Sequence, residues 1–120
     1  QTTTATTVAA GTAVSSSVTL PSGSQIIDIL VDGTTVAVAG GGTATAIAVT
    51  VGSAAAGTQY MSSTDGIAGG RLTFAPSAAQ TAAMADIGSN TTVYMTVDPN
   101  GTVSTTQGVF RLTVVYAQKG

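Results

Sequence analysis

The chain has 120 residues, 43% hydrophobic but only 4% aromatic, with three basic and five acidic residues and a net charge of −2. With no His and no Cys it cannot build a Ser-His-Asp or Cys-His catalytic arrangement, a thiolate metal site or a disulfide. So few cations leave no electrostatic footprint for nucleic acid, and no apolar run approaches the ~18 residues of a membrane span.

Gln1–Gly11 is rich in Thr and Ala, with Val8 its one large apolar residue. It reads either as a disordered N-terminus or as an extended arm that adds a strand to a neighbour, because Thr favours strands. The start at Gln1 leaves open whether processing removed a leader. The rest, 12–120, has the length of one domain with a single core.

Thr12–Leu20 is a predicted strand with Val14 and Val18 apolar, closed by the turn residues Pro21-Ser22-Gly23-Ser24. Gln25–Val31 is the most apolar predicted strand. Strict alternation puts Ile27, Ile29 and Val31 on one face and Ile26, Asp28 and Leu30 on the other. Apolar residues on both faces imply a central strand, or a face covered by another subunit. Asp28 is the anomaly in that run, read as a solvent-facing carboxylate. Asp32-Gly33 is a tight hairpin signal leading into a strand over Thr34–Ala39.

Gly40-Gly41-Gly42 is a flexible connection. Thr43–Val51 alternates Thr45, Ile47, Val49 and Val51 against Ala44, Ala46, Ala48 and Thr50. Gly52–Gly57 is a loop, Thr58–Ser62 a short strand with Tyr60 and Met61, and Thr64-Asp65-Gly66 a turn. Arg71–Ala75 carries Leu72 and Phe74 on one side. Ser77–Ile87 is the one helix signal, with Ser77 as N-cap, Gln80 three residues on as in a capping box, and Gly88 as the stop. Ala79, Ala83, Met84 and Ile87 form its expected apolar stripe, and at that length it is a lid at one end.

The C-terminal segments Thr91–Asp98 and Gly108–Ala117 alternate most clearly, and Asp98-Pro99-Asn100-Gly101 between them is a turn signal. They predict two long adjacent antiparallel strands with Thr102–Gln107 as a polar loop. The total is an all-β fold: an antiparallel β-sandwich, jelly-roll-like, of about seven or eight strands, with one short helix near 77–87.

The available acids and bases are the Asp residues, Tyr60, Tyr94, Tyr116 and Lys119. A two-carboxylate glycosidase needs a converging pair such as Asp28 and Asp86, and nothing in the sequence brings them together. Asp98-Pro99-Asn100-Gly101 and Thr64-Asp65-Gly66 are the places to look for calcium, but neither has the spacing of a calcium loop and both read as turns. No enzyme activity, cofactor or metal is expected.

Arg71–Phe74, Pro76-Ser77-Ala78-Ala79-Gln80, Thr91-Thr92-Val93-Tyr94-Met95-Thr96-Val97, Gly101-Thr102 and Val109–Tyr116 resemble small virion proteins of tailed bacteriophages, the β-sandwich proteins of the capsid decoration or cement type. The resemblance covers Arg71–Ala117. It implies a subunit on the outer surface of an icosahedral shell, located on the virion, that clamps neighbouring major capsid subunits, often as a dimer or trimer, with no membrane or nucleic-acid partner. Sparse charge and a strand apolar on both faces agree with that role. The expected contact residues are Thr4, Thr6 and Val8 in the arm and Ile26 and Leu30 on the strand. Two other readings remain: a tail-fibre adhesion module binding host glycan, with Tyr60 as its loop aromatic, or a pilus-like filament subunit with a donated N-terminal strand.

Overall fold

The computed structural model describes residues 1–7, 13–35, 45–85, 91–101 and 108–118. Its elements are β1 (Thr2–Thr7), β2 (Val14–Leu20), β3 (Ser24–Thr35), β4 (Ile47–Gly52), β5 (Met61–Asp65), β6 (Gly70–Arg71), α1 (Ala78–Ala85), β7 (Thr91–Pro99) and β8 (Val109–Gln118). The strands form two four-stranded antiparallel sheets, β1-β8-β3-β6 and β2-β7-β4-β5. The fold is therefore an all-β sandwich, and this strand order is that of an eight-stranded jelly roll.

The pairing has a simple logic. The first strand pairs with the last, the second with the second-last, and so on inward: β1 with β8, β2 with β7, β3 with β6, β4 with β5. The chain is one long antiparallel ribbon doubled on itself. Wrapping that ribbon adds the β3–β8 and β4–β7 pairs and closes the two sheets over a common core.

Alternation fills that core. Val18 and Leu20 of β2, Ile47, Val49 and Val51 of β4, and Val93, Met95 and Val97 of β7 face inward from one sheet. Ile29 and Val31 of β3 and Phe110, Leu112 and Val114 of β8 meet them from the other. Full burial of each such side chain is worth ~1.5–3 kcal/mol. β-branched residues dominate because two pleated surfaces about 10 Å apart leave room for short, stiff side chains.

The structure departs from the sequence reading at several places: Thr64 and Asp65, read as a turn, close β5, which begins only at Met61, and three other departures concern the pairing. The two C-terminal strands are not neighbours: β7 and β8 lie in different sheets. Asp98 and Pro99 extend β7, opposite Ala48 and Ile47, and Asn100 stays with the same neighbour by donating its amide to the Ala46 carbonyl (3.1 Å). Asp32-Gly33 is not a hairpin either. Both sit inside β3, opposite Arg111 and Phe110 of β8, with a register shift only beyond Gly33. Residues 36–44, where the following strand and the glycine run are expected, are outside the described residues. The third departure is a bulge in β3, taken up below. Pro21–Ser24 turns as expected, with Gly23 at φ 75° and the Ser24 hydroxyl donating to the Pro21 carbonyl (2.6 Å).

Hydroxyl pairs line the strands. Thr3 and Thr113, Ser15 and Thr96, and Thr19 and Thr92 are register partners whose oxygens lie 3.4, 2.7 and 3.4 Å apart. Thr96 also accepts the Ala56 amide (2.7 Å). Thr50, its partner on β4, has a buried Oγ1 with no hydrogen bond among the described residues. Thr50→Val removes the orphaned oxygen at nearly constant shape, and is expected to raise stability by ~1 kcal/mol in urea unfolding. A loss of stability would mean that this oxygen has a partner in solution.

Candidate functional site

The candidate site is the outward side of β3 and the helix beside it. Ile26 pairs with Tyr116 and Asp28 with Val115, so Ile27 is an extra residue in the ladder. Two consecutive residues then point the same way: Ile27 and Asp28 are both exposed, while Ile26 and Ile29 on either side are buried. Asp28 fixes the bulge by accepting the Ile29 amide on Oδ1 (2.8 Å). The anomalous carboxylate of the apolar run is thus the residue that shifts its phase. Ile27 is left 56% exposed, the one large apolar side chain so placed among the described residues.

The helix is held by its cap. The Gln80 amide donates to Ser77 Oγ (3.2 Å), and Gln80 Oε1 accepts the Ser77 amide (2.9 Å), the reciprocal capping box expected from the sequence. Gln80 Nε2 then donates to the Thr58 carbonyl and to Ser62 Oγ, both at 2.9 Å. A buried glutamine, not the expected stripe of Ala79 and Ala83, ties α1 to the body, because both alanines face outward. Met84 does pack against the core, and Ile87 lies outside the described residues.

Between α1 and β3 lies a cleft of about 410 Å³ lined by Ile26, Ile27, Pro76, Met84 and Ala85, with Gln25 and Thr81 at its polar points. Among the described residues no ionisable side chain lines it. It offers room and apolar contact for an inserted side chain.

The outer face of β3 continues into a small charged patch. Asp32 stands opposite Arg111 on β8 and Arg71 on β6, and Arg71 grips it through Nε to Oδ1 (2.5 Å) and Nη2 to Oδ2 (3.2 Å). The hydrogen bond to Asp32 holds the guanidinium above its ordinary range. The pair is solvent-exposed, so its contribution is to orient side chains more than to stabilise the fold.

The sequence-predicted contact residues do not form one surface. Ile26 is 4% exposed and belongs to the core, because the bulge turns it inward; Leu30 is half-buried on the opposite face, beside Thr113. Thr4 is half-buried opposite Leu112, and Thr6 is the register partner of Phe110. Val8 lies outside the described residues. Ile27, which alternation assigns to the core, is the exposed one. The signal for it was present: a carboxylate out of phase within an apolar run marks a bulge.

In the two segments considered for calcium, Asp65 at the end of β5 and Asn100 just after β7 use a side-chain oxygen internally. Asp65 Oδ1 accepts the amides of Ile47 and Ile67, both at 3.0 Å, and Asn100 Oδ1 accepts those of Thr45 (2.8 Å) and Ala46 (3.2 Å). Asp86, the partner that a two-carboxylate site at Asp28 would need, lies outside the described residues. Tyr60 is buried in the core at 4% exposure, and burial pushes its phenol above its ordinary value. It is therefore not a loop aromatic at the surface. No helix among the described residues is long and apolar enough to cross a membrane.

Comparison with family models, with curated proteins and with solved structures finds no match to this chain.

Proposed function

We propose that this chain is a structural virion protein that binds the outer surface of a phage capsid and cements neighbouring major capsid subunits. The shell is suggested by the resemblance of Arg71–Ala117 to decoration proteins. Jelly-roll order is common among viral capsid and lectin domains, but a fold by itself assigns no function. The observation that carries the reading is Ile27: a bulge holds an aliphatic side chain out in solvent at the lip of an apolar cleft. A docking surface needs such a central anchor, and a specific contact built around it buries at least ~1,200 Å² in total.

Two tests separate the role from the face. Electron microscopy of the parent particle should place this subunit on the shell lattice; its absence there removes the role. Ile27→Asp should then weaken rebinding to stripped shells by at least about tenfold, equivalent to ~1.4 kcal/mol, with an unchanged thermal midpoint. Rebinding at wild-type strength would move the contact elsewhere on the subunit.

Neither alternative gains from the structure. Glycan adhesion looked to Tyr60 as a surface aromatic, and Tyr60 is buried. The pilus reading gave the N-terminal strand to a neighbour, whereas Thr2–Thr7 pairs with β8 of its own chain.

A further inference from the structure

The two flanks of the sandwich are finished differently. On one flank, β6 is two residues long and its Arg71 is tied to Asp32. On the same flank, the pairing of β5 with β4 is broken by a register shift, and Asp65 at its end bonds back to the Ile47 and Ile67 amides. Short length, bulges and charge are the usual means of blunting a sheet edge. The opposite flank has none of them. β1 runs in unbroken register along β8 from Thr2 opposite Val114 to Thr7 opposite Val109, and among the described residues no strand lies on its other side. Its sequence Thr-Thr-Thr-Ala-Thr-Thr has no charge, no Pro and no Gly. β2 beside it, Val-Ser-Ser-Ser-Val-Thr-Leu, is equally regular and uncharged.

We infer that β1 is a homodimerisation edge, at which β1 of a second copy adds antiparallel about a two-fold axis and joins the two β1-β8-β3-β6 sheets into one. The occupant follows from the charge pattern. Two-fold pairing sets the residues nearest the axis beside their own duplicates, so a charge there would meet its like; β1 carries none. An axis through Thr4 sets Thr2 against Thr6 of the second copy and Thr3 against Ala5. Thr–Thr register pairs are already used inside the chain, at Thr3–Thr113 and Thr19–Thr92. Such an interface is self-complementary and closes at two copies. It uses a different surface from Ile27, and stands or falls independently of the capsid reading.

The test is sedimentation equilibrium of the whole chain with variants at Thr3, which is exposed on β1. Wild type should show a reversible monomer–dimer equilibrium. Thr3→Lys and Thr3→Asp should each weaken it by about fivefold, because the two copies of residue 3 are diagonal neighbours across the axis and would carry like charge, while an equimolar mixture of the two restores association. Thr3→Val, which keeps strand propensity without charge, should dimerise like wild type and so controls for folding. Because the chain has no cysteine, single Cys substitutions along Thr2–Thr7 add a second readout: disulfide cross-linking should peak at one position and fall away on both sides. A wild type that stays monomeric at its highest soluble concentration overturns the inference. So does a dimer indifferent to both Thr3 charges, or one that no β1 cysteine cross-links.

Discussion

Phe110→Ala is expected to lower unfolding stability by ~3–5 kcal/mol, as large-to-small changes at filled aromatic sites do. Phe110 is 1% exposed and heads the largest fully buried side chains. It starts from β8 in one sheet, and its ring reaches the loop after β5 of the other. A methyl group built on Gly66 would lie 2.6 and 2.9 Å from ring carbons Cε1 and Cζ, and 3.2 Å from Val49 Cγ2. The ring therefore packs against glycine backbone, which has no side chain of its own to move into the space the ring leaves. Gly66→Ala should destabilise by ~1–3 kcal/mol for the opposite reason, overpacking. The two changes should couple: in the Phe110→Ala background the added methyl meets a void, and its cost should largely vanish. Urea unfolding of the four proteins checks this. Strict additivity would mean that the ring does not rest on Gly66.

Gln80→Ala is expected to cost ~2–3 kcal/mol, a large effect for a residue on a short peripheral helix. The change removes the acceptor for the Ser77 amide and strands the Thr58 carbonyl and Ser62 hydroxyl, three partners lost at once. Helices of this length are marginal without tertiary anchoring, so α1 should detach and the cleft beside Ile27 should lose one wall. Gln80→Glu separates the contributions. It keeps the acceptor that caps Ser77 and loses both donated bonds, so it should fall between wild type and Gln80→Ala. Ser77→Ala, which removes only the hydroxyl half of the cap, should cost ~1 kcal/mol. Hydrogen exchange of the α1 amides would show whether the loss is local. Unchanged protection in Gln80→Ala would place the anchor elsewhere.

Local chemistry was legible in the sequence; long-range pairing was not. The capping box is a contact between residues three apart, and Ser77 and Gln80 suffice to write it down. The period-two pattern of Val93, Met95 and Val97, or of Phe110, Leu112 and Val114, fixes which side chains enter the core. The same pattern cannot say which strand lies next door. Asp98-Pro99-Asn100-Gly101 has the residues of a hairpin turn, yet Asp98 and Pro99 belong to β7 and β8 lies in the other sheet, because β7 and β8 each have partners earlier in the chain. Asp32-Gly33 failed for a related reason. A dipeptide suited to a tight turn is also tolerated within a strand where Gly33 packs against Gly69 and Gly70: a side chain there would come within 2.8 Å of Gly69 Cα. At the candidate site, one inserted residue reversed the assignment of Ile26 and Ile27, as a one-step slip of a two-residue period must.

The outside-in pairing of the strands also fixes when this protein can fold. β1 waits for β8, β2 for β7 and the long β3 for both β6 and β8, so a ribosome must release nearly the whole chain before the first sheet can be assembled. Nucleation near the ribbon's bend, where β4 and β5 are closest in sequence, is the cheapest loop to close; every later pair encloses a longer one. Maturation should be slow and post-translational, and a nascent chain lacking β8 should leave β1 without the neighbour that orders it and the long β3 with β6 alone.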